Sequence, residues 1–555
     1  MVFNLLMMFL MSMPPNPYAK TMIRPPKFPQ TMNRGVKRIS PVQGERKALV
    51  ILVDFDDNQR TYQTGDFDSL IYGTDQSSMR DYYSEVSYGK FTVSAQSDIA
   101  GWFRAPENYS FYVGDSFGFY NDYPNNVQRL VEHACSLADP AVDFSQYDGD
   151  GDGYVDAVFI VHAGPGAEET GSIHDIWSHQ WQLSNTGTSC PGAYLTDDGV
   201  RVDGYSMEPE ELSTYSARIS VGVFVHEFGH VIGLPDLYDT DYSTNGLGWF
   251  CLMAAGSWGR VSSSDLPGSS PTHPCTWVKY QLGWTAPVAV ERTGVSRREN
   301  QSLVSAATNS VAYRLMEDPG GPDWTWSGSG NGEYFLVENR YRAGYDRSLP
   351  GDGLLILHAD DPRTENSSES HPLVGIMQAD GDPDYLLSDL GVAADLWSDD
   401  SAGFGDATIP SSRMYNETPS GASAYDIGPG DSVVTASFWI APILFGRTAA
   451  YPNPFLANNI PSWGRKIIIT YYPSDTLDLT DPYPPFKVSI FNIAGELVRM
   501  LDHDHYGEID QYRRSAFWDL KNDRGQDVVS GMYLYVIETE GSQVQRTKGR
   551  LTLIR

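Results

Sequence analysis

The apolar residues in the first half of the chain predict alternating strands and helices. Residues 47–55 and 154–164 are continuous apolar runs, which are typical of strands that are buried on both faces. Residues 77–89 and 125–140 instead repeat apolar residues at helical spacing, and these stretches end at a glycine and a proline. Because strands that alternate with helices indicate an α/β domain, we predict such a domain at residues 46–288.

The pattern changes after residue 288. In residues 289–442, short apolar runs such as 333–340 and 353–360 are separated by clusters of Gly, Pro, Asp and Ser, which predicts a β-rich region. Residues 443–555 contain two alternating runs around an Ala-Gly turn and further strand-like runs up to the last residue. Short strands with regular turns over this length predict a small β-sandwich.

The first residues follow neither pattern. Residues 3–11 form an apolar run that is too short to span a bilayer and resembles the core of a signal peptide, although the usual basic residues do not precede it. Residues 12–45 are rich in Pro, Lys and Arg and have no periodicity. We therefore interpret residues 1–45 as a signal-like leader or pro-segment. We expect a secreted protein, either free or attached to the cell surface, because no other apolar stretch is long enough to be transmembrane.

Composition narrows the range of partners. The 71 acidic and 39 basic residues give a formal net charge of −32, which disfavours nucleic acid and anionic membranes and is compatible either with bound cations or with a soluble extracellular surface. None of the four cysteines forms a CxxC pair, so a thiolate zinc site is not expected, and one or two disulfides remain open. The cysteines are Cys135, Cys190, Cys251 and Cys275.

The stretch HEFGHVIGLPD at residues 226–236 carries the clearest chemistry. His226 and His230 are four residues apart and therefore share one face of a helix, where two imidazoles can bind one metal ion. Glu227 lies at the edge of that face, poorly placed as a ligand but well placed to contact a water on the metal. Gly233 can end the helix, after which the chain can turn back and bring Asp236 to the metal.

Two histidines and one carboxylate leave a fourth position for water, which is typical of a catalytic zinc site. Zinc lowers the pKa of its water, Glu227 takes the proton, and the resulting hydroxide attacks a carbonyl carbon. Asp239 and Asp241 are close enough in sequence to be alternatives to Asp236 as the third ligand. The other interpretation, a buried helix whose histidines only make hydrogen bonds in a core, does not account for the added Gly233 and Asp236.

A second metal signal lies in DGDGDGYVD at residues 148–156. Carboxylates at alternate positions, followed by a glycine, match the first half of a calcium loop, although Phe159 stands where a bidentate Glu belongs. The alternative is a surface turn that is held by side-chain hydrogen bonds to its own backbone. The predicted structural Ca²⁺ ligands are Asp148, Asp150, Asp152, the carbonyl of Tyr154, and Asp156.

The extended motif HExxHxxGxxD resembles the metzincin zinc peptidases. Further segments make residues 46–440 similar to the immune inhibitor A family of secreted bacterial metallopeptidases. These segments are DYYSEVSYGKF (81–91), IWSHQW (176–181), LPDLYDTD (234–241), GLGWFCLMAAGSWG (246–259), TWVKYQLGW (276–284), EYFLVENR (333–340) and LPGDGLLILHADD (349–361).

This resemblance implies a metzincin-like α/β catalytic domain, with a twisted sheet and an active-site helix. It implies that His226, His230 and Asp236 bind Zn²⁺, that Glu227 is the general base, and that Met253 occupies the turn beneath the metal. The chain departs from the family at Phe250-Cys251, where Trp-Asp is common. Tyr238 and His179 lie near these motifs, but neither receives a role from the sequence.

The end of the chain resembles a different group of proteins. YPNPF at residues 450–455 and the runs that follow it are similar to Ig-like modules of the flagellar-hook-capping type, some relatives of which are C-terminal sorting signals. This resemblance makes the predicted sandwich a candidate contact with the cell surface or the secretion machinery.

Taken together, these features predict a secreted zinc endopeptidase that hydrolyses peptide bonds in protein or peptide substrates. The rival prediction is a catalytically inactive cell-surface adhesin on the same scaffold. The presence of Glu227 and of all three zinc ligands favours the enzyme.

Overall fold

The computed structural model describes residues 11–19, 41–74, 77–119, 122–184, 189–292, 295–318, 321–322, 332–381, 389–399, 401, 403–440, 448–451, 453–456, 466–471, 486–502, 508–510, 515–539 and 546–555. The chain forms two compact units, Met1–Glu291 with Arg297–Trp439, and Arg292–Ser296 with Ile440–Arg555. The signal-like run at residues 3–11 lies outside the described residues except for its last position. Within the described residues, no helix combines the length and the apolar character needed to cross a membrane.

The first 291 residues contain the helices and an α/β sheet. The helices are α1 (Thr64–Tyr72), α2 (Met79–Val86), α3 (Tyr109–Val113), α4 (Val127–Ala138), α5 (Ala167–Thr170), α6 (Val221–Val231) and α7 (Thr276–Gln281). The strands are β1 (Met11–Ser12), β2 (Gly44–Arg46), β3 (Leu49–Asp54), β4 (Phe91–Val93), β5 (Ile99–Arg104), β6 (Val158–Pro165), β7 (His179–Gln182), β8 (Tyr194–Leu195), β9 (Arg201–Val202), β10 (Gly204–Leu212), β11 (Ala217–Arg218) and β12 (Val288–Val290).

The predicted helices and strands of this region are confirmed. The two apolar runs form β3 and β6, and the two amphipathic stretches form α2 and α4. The side chain of Ser78 accepts a hydrogen bond from the backbone of Asp81 at the start of α2, and Asn126 does the same for Arg129 in α4. Both helices therefore begin at a capping residue that the sequence displays.

The main sheet has the strand order β1-β7-β10-β6-β3-β5, with β11 paired to β10. Strands β5, β3, β6 and β10 are parallel, whereas β7 runs antiparallel to β10 and β1 runs antiparallel to β7. Helix α4 contributes to the apolar core on one face of β3 and β6. On the other face, Phe159 of β6 contacts Phe224 and Phe228 of α6. The α/β prediction is thereby confirmed, and α6 lies directly on the sheet.

The rest of the first unit is β-rich, as predicted. Its strands are β13 (Arg297–Val304), β14 (Ala312–Leu315), β15 (Glu333–Arg340), β16 (Gly353–Asp360), β17 (Val374–Ile376), β18 (Ala422–Tyr425) and β19 (Val433–Ile440). They form the sheets β12-β14-β15-β16-β17 and β13-β19-β18 among the described residues.

Arg340 connects this β-rich part to the α/β part. It is fully buried and lies 2.6 Å from a carboxylate oxygen of Asp346 and 3.3 Å from one of Glu338. Its guanidinium also donates to the carbonyl of Phe250 at 2.7 Å. Because a buried charge is tolerated only when it is paired and hydrogen-bonded, this network fixes the backbone just before Met253.

The second unit consists of two sheets that share an apolar core. Its strands are β20 (Thr448–Tyr451), β21 (Phe455–Leu456), β22 (Ile467–Tyr471), β23 (Phe486–Asn492), β24 (Leu497–Leu501), β25 (Ile509–Asp510), β26 (Ser515–Trp518), β27 (Gly531–Thr539) and β28 (Arg546–Ile554). The sheet orders among the described residues are β20-β22-β26-β25 and β21-β28-β27-β23-β24. Alternate residues of β22 and β23 point into the core, which explains the period-two pattern of these runs.

All four cysteines lie in the described part of the chain and are free thiols. Cys251 and Cys275 are both buried, and the backbone N–H of Cys275 donates to the Sγ atom of Cys251 at 3.4 Å. The disulfides that the sequence left open are therefore not formed in this structure.

Candidate active site

Helix α6 carries the HExxH stretch and is packed tightly against a neighbouring loop. A Cβ atom at Gly222 would lie 2.0 Å from the carbonyl oxygen of Ser257, so this approach requires glycine. Ser220 occupies the N-cap position, but its hydroxyl makes no capping hydrogen bond. The N–H of Gly222 instead donates to the carbonyl of Gly268 at 3.0 Å. After the helix, Gly233 adopts a φ of +94°, which lets the chain reverse as predicted.

The reversal brings three metal-binding atoms together. The Nε2 atoms of His226 and His230 are 3.2 Å apart, and the Oδ1 atom of Asp236 lies 3.2 Å from each of them. All three side chains are buried, with residue exposures of 0%, 5% and 1%. The structure thus groups the three predicted ligands in one place.

The hydrogen bonds of the imidazoles fit a metal ion. The Nδ1 atom of His226 lies 3.0 Å from the carbonyl oxygen of Leu252, and that of His230 lies 2.9 Å from the carbonyl oxygen of Leu234. Since a carbonyl oxygen only accepts, each Nδ1 carries the proton and each Nε2 turns a lone pair towards Asp236. Zinc ligands at about 2.0–2.1 Å in a tetrahedron are about 3.3 Å apart, close to the observed triangle.

Burial and the neighbouring charges favour the states that bind metal. Burial lowers the pKa of His226, which keeps its imidazole neutral. Burial alone would raise the pKa of Asp236, but the adjacent imidazoles outweigh it and lower that pKa to about 2. These shifts favour the metal-binding forms of the His226 imidazole and the Asp236 carboxylate.

Glu227 follows His226 on α6 and is fully buried. Neither of its carboxylate oxygens has a hydrogen-bond partner of normal geometry among the described residues. Burial raises the pKa of this carboxyl well above its usual range, and the nearby carboxyl groups of Glu208 and Asp236 raise it further. A buried carboxyl without a donor is unfavourable for folding, and such groups occur mainly where the chemistry of a site requires them.

Met253 lies directly against the HExxH helix. A Cβ atom at Gly229, between the two histidines, would be 2.6 Å from the Sδ atom of Met253, so the thioether fills the space that glycine leaves. The carbonyl of Met253 also accepts the N–H of Leu237 at 2.7 Å, next to Asp236. The turn that contains Met253 thereby supports both segments that supply the ligands.

Asp239 and Asp241 do not join the imidazoles. Asp239 accepts hydrogen bonds from the backbone of Asp241 at 2.9 Å and of Thr244 at 2.7 Å, and so shapes its own loop. Among the described residues, both aspartates group with Glu369 instead. The geometry therefore favours Asp236 over its two neighbours.

Residues 54–285 match the family model described as immune inhibitor A peptidase M6, catalytic domain. This part of the chain is similar to the catalytic domain of the immune inhibitor A family of peptidases. The matched residues include His226, His230 and Asp236, and the match supports a metallopeptidase catalytic domain in this part of the chain.

Two curated relatives match part of the chain. The pre-pro-metalloprotease PrtV of Vibrio cholerae serotype O1 is 30% identical over 286 residues, which cover 42% of this chain and 29% of PrtV. Immune inhibitor A of Bacillus thuringiensis subsp. alesti is 30% identical over 273 residues, which cover 41% of this chain and 38% of that protein. The matched region thus spans less than two fifths of either relative.

Among solved structures, CopC from Methylosinus trichosporium OB3b matches 19% of this chain and 88% of its own, at 15% sequence identity. The TM-score of this match is 0.13, which is too low to support a structural comparison.

The peptidase domain holds a segment of its own chain beside the metal-binding cluster. Strand β1 pairs antiparallel with β7, with Met11 opposite Gln180 and Ser12 opposite His179. The N–H of Met13 then donates to the carbonyl of Ser178 at 3.1 Å, and the indole of Trp177 donates to the carbonyl of Met13 at 2.8 Å. The segment therefore extends the main sheet at its edge.

Contacts continue along the segment beyond Met13. The indole of Trp258 donates to the carbonyl of Pro14 at 2.8 Å, and the N–H of Asn16 donates to the carbonyl of Glu168 at 2.9 Å. The ring of Tyr18 lies 3.6 Å from the guanidinium of Arg260. The sequence predicted an irregular leader here, because a two-residue strand leaves no periodic pattern and its partner is distant in the chain.

Two residues that the sequence left without a role now have partners. The phenol of Tyr238 donates to the carbonyl oxygen of Ser12 at 2.8 Å. His179 is buried, with its Nδ1 atom 2.7 Å from the carbonyl oxygen of Trp177 and its Nε2 atom 3.3 Å from the hydroxyl of Tyr205. His179 is thus a satisfied structural histidine, whereas Tyr238 contacts the segment in the cleft.

The predicted calcium loop lies elsewhere on the domain, and three of its carboxylates come within 4.8 Å of one another. Asp148 accepts hydrogen bonds from the backbone of Gly151 at 2.9 Å and of Gly153 at 3.0 Å. Asp152 accepts from the backbone of Tyr154 at 2.9 Å, and Asp156 is half-buried. The carboxylates therefore accept hydrogen bonds from the backbone of their own turn.

Proposed function

We propose that the protein is a secreted zinc-dependent endopeptidase. The observation that carries this proposal is the triangle of His226 Nε2, His230 Nε2 and Asp236 Oδ1, with the unpaired carboxylate of Glu227 on the same helix. The family match of residues 54–285 supports the same class of reaction.

In the proposed mechanism, His226, His230 and Asp236 hold Zn²⁺. Bound there, zinc would polarise a peptide carbonyl and make water a stronger nucleophile. The Glu227 carboxylate accepts a proton from the attacking water and transfers it to the amide nitrogen as the C–N bond breaks. The two carbonyls that accept from the histidine Nδ1 atoms keep both imidazoles in the required tautomer.

The finer assignments belong to the same proposal. We place the catalytic domain in the metzincin type, with Met253 as the methionine of the turn beneath the metal, which its contact with Gly229 supports. We also retain Ca²⁺ as a structural ion of Asp148, Asp150, Asp152, Tyr154 and Asp156.

We further propose that residues 1–45 are a leader or pro-segment whose residues 11–19 keep the intact chain inactive. The support is the strand pairing of β1 with β7 and the contact of Ser12 with Tyr238. Attached to the chain, such a segment competes with substrate at a high effective concentration.

The C-terminal unit is proposed to be an Ig-like sandwich that contacts the cell surface or the secretion machinery. Its support is the pair of sheets around one core. Fold alone does not establish that role, so it is tested by binding of the purified protein to whole cells with and without residues 445–555.

The test of the peptidase proposal starts from a chain that carries a specific protease site inserted between residues 20 and 40. After folding and cleavage, the protein should bind about one Zn²⁺ per chain and hydrolyse casein, and a chelator should abolish the hydrolysis. Zinc binding without hydrolysis of casein or of a peptide library would favour the adhesin instead.

A further inference from the structure

The segment of residues 11–19 brings one peptide bond to the turn that carries Asp236. The carbonyl oxygen of Ser12 accepts the phenol of Tyr238 at 2.8 Å. Strand β1, which contains Ser12, also lies against helix α6, which carries Glu227. The Ser12–Met13 bond therefore lies beside the helix of the proposed general base, with its carbonyl oxygen on a hydrogen-bond donor.

The surroundings resemble the binding of an extended substrate. Met11 and Ser12 pair with β7 as an additional antiparallel strand, which is a common mode of peptide recognition. After the bond, two indoles bind consecutive carbonyls, Trp177 that of Met13 and Trp258 that of Pro14. Main-chain contacts of this kind fix the register of any extended peptide, whatever its side chains.

We propose that Tyr238 is a further catalytic residue, which donates its phenol hydrogen to the carbonyl oxygen of the peptide bond that is hydrolysed. This inference rests on the proposed peptidase function. As water attacks the carbonyl carbon, negative charge develops on that oxygen, and a donor that is already in place stabilises this charge more than it stabilises the ground state.

The position of Tyr238 is fixed before substrate binds. The backbone of the preceding residue, Leu237, donates to the carbonyl of Met253 at 2.7 Å and accepts from Leu247 at 3.0 Å. The side-chain amide of Asn366 also donates to the carbonyl of Leu237, at 2.9 Å. The Tyr238 ring is buried and stacks on Tyr242, with centroids 6.0 Å apart. The phenol is thus preorganised on the same turn that supplies Asp236.

Tyr238→Phe in the cleavable chain tests this role. After release of the N-terminal segment, the variant should hydrolyse a fluorogenic peptide with kcat about 10²–10³-fold lower, the loss typical of removing one oxyanion donor. KM should change less than about threefold, because the interaction strengthens only in the transition state. Zinc content should stay at about one per chain.

A second measurement separates transition-state binding from structure. A peptide phosphinate, whose tetrahedral oxygens imitate the attacked carbonyl, should bind Tyr238→Phe more weakly by about the factor lost in kcat/KM. Replacement of Tyr238 by p-aminophenylalanine, which retains a donor at the same place, should recover at least about tenfold of the lost rate. The melting temperature of each variant reports whether it folds.

Tyr82→Phe is the matched control. Its phenol is also buried and donates to a backbone carbonyl, that of Thr272 at 2.7 Å, without contacting the segment. Its kcat should remain within about threefold of the parent, even if the loss of a buried hydrogen bond lowers its melting temperature.

The outcomes distinguish the two proposals. Full kcat in Tyr238→Phe, a change in KM alone, or a loss of zinc would each overturn the catalytic role of Tyr238 while leaving a peptidase. A parent protein that binds zinc but does not hydrolyse peptides after cleavage would overturn both the proposed function and this inference.

Discussion

Two clusters of metal-type ligands in the peptidase domain differ in how the protein satisfies them. At His226, His230 and Asp236, the three ligand atoms converge at 3.2 Å and are buried. At Asp148, Asp150 and Asp152, the carboxylates are partly or fully exposed, and backbone N–H groups already occupy several of their oxygens.

This difference indicates how strongly each cluster would depend on a bound cation. Lone pairs that face one another in a buried triangle repel, and the surrounding backbone contacts prevent them from turning away. A cation bound by the three ligand atoms would remove this repulsion. In the exposed loop, backbone amides donate to the carboxylate oxygens, so an ion bound there would be needed less for the local conformation. The first cluster should therefore depend strongly on its ion and the second only weakly.

The largest effect is expected at Glu227, which belongs to the buried cluster but is not a ligand. Glu227→Gln should lower kcat by at least about 100-fold, because an amide cannot accept and pass on the proton. The variant should still bind about one Zn²⁺ per chain, as measured by metal analysis after gel filtration. A variant that loses its zinc would show instead that Glu227 is part of the binding site.

The second effect concerns residues 11–19, which pair with β7 and contact Tyr238, two residues after the ligand Asp236. Cleavage of a site inserted between residues 20 and 40 should raise peptide hydrolysis at least about tenfold, because it removes the effective concentration of a tethered competitor. The same cleavage should speed removal of zinc by a chelator. The uncut chain with the insertion is the control, and equal activity before and after the cut would exclude latency.

The buried cluster could be predicted from the sequence because its residues are close together along the chain. A four-residue spacing places His226 and His230 on one helical face, and the positive φ of Gly233 returns Asp236 to them. The same helical geometry places Glu227 at the edge of the face that the two histidines share. These residues lie within one short stretch, so helix geometry alone was sufficient to relate them.

The missing parts of the site depend on contacts between distant residues. Strand β1 is only two residues long, and it pairs with β7. The sequence of β7 does not indicate that another strand can pair with its edge. Tyr238 is one of 33 tyrosines, and only its hydrogen bond to Ser12 distinguishes it as a candidate functional residue. Arg340 supports the turn before Met253 through Phe250, from a strand that the sequence assigned to another region. Such relations require three-dimensional coordinates.

The third prediction separates the ligand from its neighbours. Asp236→Ala should lower zinc affinity by more than about tenfold, because it removes one of the three converging atoms. Asp239→Ala is the matched control, since Asp239 accepts backbone hydrogen bonds within its loop and lies outside the triangle. Zinc titration of both variants checks the assignment. Normal affinity in Asp236→Ala together with a loss in Asp239→Ala would move the third ligand.

The smallest effect is expected at the exposed loop. If Ca²⁺ binds there only in the folded state, a concentration of 100 times Kd stabilises the protein by about 2.7 kcal/mol, so calcium should raise the melting temperature of the parent. Asp150→Ala with Asp152→Ala should abolish that rise, but it also removes acceptors for the backbone of Asp152 and Tyr154. Asp150→Asn with Asp152→Asn keeps oxygen acceptors for these turns and removes the charge, so it should retain most of the melting temperature measured without calcium and lose the response to calcium. A parent whose melting curve ignores calcium, or an Asn variant that responds like the parent, would leave the loop as a turn held by its own hydrogen bonds.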